Sequence, residues 1–184
     1  MTLLTSLTCS ISNTSLGKVL VASSATGICA LYVSDQTDTL LTTLTEDFPL
    51  ADTLLTRLTE LPGPAADWHQ AALDIVIGLE AQQPPLNMDG TDFQHRVWQQ
   101  LQTIPAGTTL SYSELANAIG NPNAVRAAAS ACAANKIAIL IPCHRVKRKS
   151  GDSGGYRWGL ALKQSLLERE LLERELLERE LNQR

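Results

Sequence analysis

A cysteine and a histidine stand side by side in the run Pro142-Cys143-His144-Arg145-Val146. A thiol becomes a strong nucleophile only as its thiolate, and a neighbouring imidazole that takes its proton, directly or through one water, is the usual means of making one. An isolated Cys-His pair is more often a small core residue beside a chance neighbour, because free cysteine packs well in interiors. Two local features favour chemistry here. Pro142 biases Ile141 toward extended geometry, so the apolar run Ile137-Ala138-Ile139-Leu140-Ile141 reads as a buried strand that ends at the cysteine. The basic side chains of Arg145, Lys147, Arg148 and Lys149 surround the thiol with positive charge, which is expected to lower its pKa.

The elements that must position this pair are legible on both sides of it. Thr91 can cap a helix on which Phe93, Val97, Leu101 and Ile104 recur at helical spacing, and Pro105-Ala106-Gly107 ends it. Ser111-Tyr112-Ser113-Glu114 has the form of a capping box and starts a short helix through Ile119. Gly120-Asn121-Pro122-Asn123 then turns the chain into an alanine-rich helix from Ala124 to about Ala134, so the segment reads as a helix-turn-helix. Alanine lets a nucleic-acid backbone come close but offers few groups for reading bases. After the cysteine, Leu-Leu-Glu-Arg-Glu repeats three times from Leu166 to Glu180 in a strongly helical composition. Five residues advance about 500° around a helix, so successive leucine pairs rotate away from one another and form no coiled-coil stripe. The first copy is expected to pack, and the later two to extend into solvent or against another molecule.

The amino-terminal half is of another kind. Leu7 to Ile11, Lys18 to Ala22 and Ile28 to Val33 read as strands of an antiparallel sheet, separated by the turn signals Ser12-Asn13-Thr14 and Thr26-Gly27. Asp38 to Phe48 and Ala65 to Ala81 show helical spacing, the second with Trp68, Ala72, Ile75 and Leu79 on one face. Gln83-Pro84-Pro85-Leu86 is a linker. The fold class is therefore α+β: an amino-terminal lobe, 1–85, with a small antiparallel sheet and helices; a mostly helical lobe, 86–170, with the helix-turn-helix and the Cys-His pair; and a helical tail, 171–184.

The formal net charge of −4 conceals a marked asymmetry. Residues 1–89 carry two basic and ten acidic side chains, residues 90–163 nine and three, and residues 164–184 four and six. The basic segment contains the nucleophile, and local potential rather than the total governs phosphate binding. Cys9, Cys29, Cys132 and Cys143 show neither C-x-x-C spacing nor companion histidines at zinc-finger spacing, so no metal site, cofactor or disulfide framework is expected. No stretch reaches membrane-spanning length and Met1 to Ser15 lacks the features of a secretory signal, which points to a cytoplasmic protein.

Asn135, the eight-residue step to Cys143, the Pro-Cys-His-Arg-Val core and the downstream Gly155-Tyr156-Arg157-Trp158-Gly159 resemble the O6-alkylguanine-DNA alkyltransferases. The likeness is strong from about Phe93 to Glu170, looser through Gly27-Ile28-Cys29-Ala30, and greatest to the Ada-type carboxy-terminal repair domain. The resemblance implies a suicide, single-turnover methylated-DNA–protein-cysteine S-methyltransferase. Cys143 would displace the alkyl carbon from guanine O6, less readily from thymine O4, and keep it as a thioether. His144 would take the thiol proton, and a glutamate of the terminal helix would orient the ring. The Gly159-Leu160-Ala161-Leu162-Lys163 start matches that residue to Glu170, although Glu175 and Glu180 repeat its local context. Asn135 would tie the helix-to-strand turn, and Tyr112 would contact the target phosphate and protonate the departing guanine. Arg126 would fill the gap left by a flipped base.

Val146, Tyr156 and Trp158 would wall the base pocket, and the bulk of Trp158 would exclude large groups such as benzyl. The loop Lys147-Arg148-Lys149-Ser150-Gly151-Asp152 departs from the Ada-type pattern, and the zinc domain of Ada is absent from this sequence. The partner implied is double-stranded DNA carrying O6-alkylguanine, met by a monomer. Two other classes remain open: a non-catalytic helix-turn-helix protein that binds DNA damage, and a cysteine hydrolase, for which Arg126 and the alanine helix would have no task.

Overall fold

The computed structural model describes residues 4–151 and 154–182, so Asp152 of the divergent loop lies outside the described residues. The chain forms two units, one running to Thr91 and including Lys136–Leu140, the other made of Asp92–Asn135 and the chain from Ile141 onward.

In the first unit β1 (Ser6–Thr14), β2 (Gly17–Ser24) and β3 (Gly27–Ser34) form an antiparallel meander. Helix α1 (Thr37–Asp47) follows, and then β4 (Asp52–Leu55), which pairs parallel to β1. The sheet order is β3-β2-β1-β4, so the sheet is mixed where the sequence pattern predicts only antiparallel strands. All four residues of β4 are exposed, and a strand with no buried face carries no alternation to read. Gly27 has φ +154°, and a Cβ there would sit 2.4 Å from the Pro85 carbonyl oxygen. The absence of a side chain lets Ile28 donate to Pro85 (2.8 Å) and Asn87 donate back to Ile28 (2.7 Å), which lays the proline linker along β3.

Helix α2 (Ala65–Val76) stops before Ala81, because Ile77 caps it and Gly78 turns left-handed at φ +87°. Its buried face is Ala65, His69, Ala72, Leu73 and Val76, while Leu79 is exposed. The interior histidine is what moves this face away from the predicted one. His69 Nδ1 pairs with Ser10 Oγ at 2.8 Å and Nε2 with Ser23 Oγ at 3.0 Å. Burial lowers the His69 pKa from 6.5 to about 4. Its contribution to stability is complete above the unfolded value and is lost as pH falls through the interval between the two. Acidification from pH 7 to pH 5 is therefore expected to cost this group roughly 2 kcal/mol. Urea unfolding at both pH values checks this: His69→Gln should lose that part of the pH dependence, and an identical dependence in the variant would refute it.

The apolar run before the cysteine is buried throughout but is not the predicted strand. Leu31 N–H donates to the Lys136 carbonyl and Ala138 N–H donates to Leu31, both at 3.0 Å, making a single parallel bridge from Leu31 to Ile137. Ile139 then turns left-handed at φ +68°. Burial on all sides produces the same apolar string in a strand and in a buried irregular segment, so the pattern could not separate them.

The second unit opens with α3 (Asp92–Gln102), which buries Val97, Trp98 and Leu101. A two-residue strand β5 (Leu110–Ser111) leads into α4 (Tyr112–Ala118), and α5 (Val125–Ala133) follows the Asn121–Ala124 turn. The capping box is complete: Glu114 N–H donates to Ser111 Oγ, and Ser111 N–H donates to Glu114 Oε2. Trp98 Nε1 donates to the Ala131 carbonyl at 2.8 Å, fixing α3 against α5. A single 3-10 turn, Cys143–Arg145, leads to β6 (Val146–Lys147), which pairs parallel with β5. Helix α6 (Leu160–Asn182) buries Lys163, Leu166 and Glu170, and every residue from 171 to 182 is exposed. The outer repeats carry i,i+4 ion pairs, Arg169–Glu173 and Arg174–Glu178, suited to a solvated helix. Among the described residues no helix is long and apolar enough to cross a membrane.

Candidate active site

Three elements of the second unit converge on Cys143. The residue opens the 3-10 turn, and its N–H donates to the Ile141 carbonyl at 2.8 Å. Asn135, just past the end of α5, donates from Nδ2 both to the Ile141 carbonyl (2.9 Å) and to Cys143 Sγ (3.2 Å). One buried amide thus fixes the backbone before the thiol and aims a donor at the sulfur.

The thiol is only 6% exposed, and burial raises its pKa. The Asn135 hydrogen bond, the Lys163 charge and a backbone hydrogen bond work in the lowering direction without overcoming it. This corrects the expectation drawn from the basic cluster. Arg148 and Lys149 are exposed, and Arg145 is turned toward Glu170. The cation that acts on the sulfur is Lys163, fully buried on α6 with Nζ donating to the Val146 carbonyl at 2.6 Å. The resting group is a thiol, poised to ionise when a substrate changes its surroundings.

His144 is fully buried, with Nε2 2.8 Å from Glu170 Oε1. Burial lowers the histidine pKa, and the hydrogen bond and charge of Glu170 oppose but do not overcome it. Burial alone would raise the Glu170 pKa, but hydrogen bonds from His144 and Arg145 outweigh it and hold the carboxyl down to about 2. The pair is therefore a neutral imidazole donating to a carboxylate, and Arg145 is the cation that keeps the carboxylate ionised. Arg145 Nε lies 3.0 Å from Oε2 and Nη2 lies 2.9 Å from Oε1, while Nη1 donates to the Ile104 carbonyl. With its proton assigned to Nε2 by this partner, the ring keeps a lone pair on Nδ1, which is buried with no partner among the described residues.

The glutamate is selected from three identical sequence contexts by a glycine. Gly107 N–H donates to Glu170 Oε2 at 3.2 Å, and the Gly107 carbonyl accepts from Arg174 Nη1 at 3.2 Å. Glu175 and Glu180 are exposed. Gly107 has φ +70°, and a Cβ would meet the Glu170 carbonyl oxygen at 2.9 Å. Gly107→Ala is expected to destabilise the protein by about 1–3 kcal/mol, from backbone strain alone or with the clash added. Chemical unfolding measures it, and an unchanged midpoint would contradict the clamp.

A cavity of about 520 Å³ opens beside the sulfur. Cys143, Tyr112, Tyr156, Cys132 and Arg148 contribute to its wall, with Ala129 and Ala133 of α5. Burial, assisted by the nearby Cys132 and Cys143, pushes the Tyr112 pKa up to about 12, so its phenol is a proton donor at neutral pH. The Tyr156 hydroxyl is buried with no partner among the described residues, and its ring meets His144 edge-on at 6.4 Å. Arg126 stands exposed on the first turn of α5, apart from this wall.

Two expected wall residues are placed elsewhere among the described residues. Val146 is wholly buried in the β5–β6 pair, and Trp158 lies under the Arg157 guanidinium, 5.0 Å from its ring. The proposed exclusion of bulky groups by Trp158 loses its geometric ground, because glycines 154 and 155 edge the cavity instead. Sequence reasoning also missed the roles of Arg145, Gly107, Lys163 and Cys132. The motif arginine beside His144 was a signal for the first and the Pro-x-Gly turn for the second. A lone lysine in a helix offers none. Among the described residues no group of His, Cys, Asp and Glu side chains is placed to hold a metal ion.

A buried cysteine with an adjacent histidine, following a helix-turn-helix and lining a cavity, is an arrangement whose class comparison with known proteins identifies. Residues 92–172 match the family described as 6-O-methylguanine DNA methyltransferase, DNA binding domain. The chain is 48% identical over 158 residues to the bifunctional transcriptional activator/DNA repair enzyme Ada of Escherichia coli, covering 84% of this chain and 42% of Ada. It is 57% identical over 83 residues to a probable methylated-DNA–protein-cysteine methyltransferase of Acanthamoeba polyphaga mimivirus, covering 45% of this chain and 55% of that protein. These curated relatives are thus about twice as long as the stretch they share with this chain.

Among solved structures, the O6-methylguanine methyltransferase of Mycobacterium tuberculosis superposes with a TM-score of 0.72 at 32% identity, covering 90% of this chain and 93% of that one. The same mycobacterial protein in complex with DNA gives a TM-score of 0.69 at 33% identity, covering 89% and 92%. The chain belongs to the O6-methylguanine-DNA methyltransferase family.

Proposed function

We propose that the protein repairs DNA by direct reversal, moving a methyl group from O6 of guanine, and less readily from O4 of thymine, onto Cys143 in one irreversible step. The observation that carries this reading is the sulfur at the wall of a 520 Å³ cavity, beside a neutral histidine anchored by an ionised glutamate. A nucleobase inside a duplex cannot reach such a cavity, so the damaged nucleotide must leave the stack. Arg126 is exposed at the head of the small-residue helix, in position to enter the vacated space, and such a helix suits close approach to the minor groove.

Once the base is seated, the Cys143 proton passes to His144 Nδ1, directly or through one water, and the Glu170 carboxylate stabilises the imidazolium. The sulfur then attacks the methyl carbon. The S–C bond forms as the C–O6 bond breaks, and the departing guanine takes a proton from Tyr112, which is reprotonated from solvent as His144 releases the proton it took from Cys143. Asn135 holds the sulfur on line. The product is a thioether, which is not a leaving group here, so each chain acts once. The partner is double-stranded DNA carrying the lesion. We assign a monomer, and the four free cysteines support a reducing cytoplasm.

Incubation with excess duplex containing O6-methylguanine, followed by nucleoside analysis, tests the reading. One guanine restored per chain, and then no more, is expected. Repeated turnover would indicate a hydrolase, and DNA binding without restoration would indicate a damage-binding protein.

A further inference from the structure

A second nucleophile–base arrangement lies in the first unit, and none of its residues belongs to the site around Cys143. Ser23 Oγ is 3.0 Å from His69 Nε2, and Ser10 Oγ is 2.8 Å from His69 Nδ1, so the ring is held between a serine on β1 and one on β2. The pairing register shifts between Ala22 and Ser23, an irregularity of the kind that re-aims a side chain. Ser23, 2% exposed, borders a cleft of about 380 Å³ that also takes in Trp68, Pro62, Pro64 and Ala65. The remaining buried residues of α2, Ala65, Ala72, Leu73 and Val76, are apolar; within the polar cluster Ser23 borders the cleft, while His69 and Ser10 are buried.

We propose that Ser23, with His69 as base and Ser10 as the group that orients it, forms an acyl-transfer site for small esters with an apolar acyl group. The reach and order of the three groups are those of an activated serine nucleophile. The mechanism uses the tautomer in which Nδ1–H donates to Ser10 Oγ and the Nε2 lone pair faces Ser23, one of the two that the paired hydroxyls accommodate. Burial keeps the imidazole neutral at physiological pH, the state a general base requires. The first-turn amides of α2 have no intrahelical acceptor, and the N-cap Pro64 supplies no side-chain one. Of that turn Ala65 lines the same cleft, and its amide is the one suited to a developing oxyanion. Trp68 and the two prolines give the acyl group an apolar wall.

In the reaction, Ser23 Oγ bonds to the ester carbonyl carbon while its proton moves to His69 Nε2. The adduct then collapses with loss of the alkoxide, which recovers that proton. Water deprotonated by the same ring releases the acid and restores the serine.

The test uses the full chain and an alkyl fluorophosphonate, whose phosphorus bonds to an activated serine as fluoride leaves. Intact mass and peptide mapping should find one adduct, on Ser23. Labelling should vanish in Ser23→Ala and slow by about 100-fold or more in His69→Gln, which can keep both hydrogen bonds but has no basic nitrogen. Hydrolysis of 4-nitrophenyl butyrate should follow the same order. Mapping on the unaltered chain decides the matter even if a variant fails to fold. An unlabelled Ser23 at saturating probe, or equal labelling in a folded His69→Gln, would overturn the proposal. Either result leaves the reading of Cys143 untouched, because the probe reports only on a serine of the first unit.

Discussion

Glu170→Gln is expected to slow methyl transfer by about 10²–10⁴-fold while leaving the cavity and the DNA-binding helices in place. The carboxylate lies 2.8 Å from His144 Nε2 and, in the proposed mechanism, is the anion that stabilises the imidazolium formed when Cys143 ionises. The neutral amide can still accept a hydrogen bond but offers no charge, and it can also present its NH₂ to the ring and favour the wrong tautomer. Because Glu170 raises the affinity of His144 for a proton, its loss should also move the acid limb of the rate–pH profile to lower pH.

Stability should fall as well. A carboxyl held down to about 2 against an unfolded value of 4.5 contributes stability that is fully present above pH 4.5 and lost as pH falls through 2. That contribution is about 3 kcal/mol at neutral pH, and the variant leaves the Arg145 guanidinium without its anion. Single-turnover rates across pH, together with urea unfolding, check both parts. A rate within a few-fold of the unaltered chain would refute the assignment. Full activity in Glu175→Gln and Glu180→Gln is the companion expectation, since both residues are exposed.

The second large effect is at the sulfur. Cys143→Ala is expected to eliminate methyl uptake while preserving binding to the damaged duplex. The substitution removes one buried atom and leaves Asn135 bonded to the Ile141 carbonyl, so the turn should keep its shape. Loss of stability should be about 1 kcal/mol. DNA affinity measured at fixed salt, alongside transfer, separates the two roles. Transfer that survives in Cys143→Ala would point to another acceptor, of which Cys132 is the one that shares the cavity wall.

How much of this was legible beforehand depended on whether the determinant was local. The capping box at Ser111–Glu114, the turn at Gly120–Asn123 and the alanine-rich helix are written in adjacent residues, and all three are present. The three strands of the meander followed from their β-rich composition, but Ser12-Asn13-Thr14, expected as a turn, belongs to β1, and the chain turns at residues 15–16. β4 did not, because all its side chains are exposed and its pairing partner lies 46 residues away. The Cys143–His144 pair could be found, but the electrostatics around it could not. Arg145 pairs with Glu170, and the cation whose charge lowers the thiol pKa is Lys163, twenty residues on from Cys143. Desolvation, which raises the thiol pKa, is a property of the folded environment that charge counting cannot capture.

Placing Val146 and Trp158 at the pocket wall assumed that residues near the cysteine in sequence face the cavity. Val146 instead spends its side chain on the core beside β5. The register of the terminal helix was open among three glutamates, and a contact with Gly107, sixty-three residues before Glu170, distinguishes them.

The central claim is that one sulfur accepts and retains an alkyl carbon from a damaged guanine. Intact mass spectrometry of the chain after exposure to a duplex carrying isotopically labelled O6-methylguanine, with peptide mapping of the product, tests it most directly. A single labelled methyl per chain, on Cys143 and stable to prolonged incubation, is the predicted result; an unmodified Cys143 beside a demethylated duplex would contradict it.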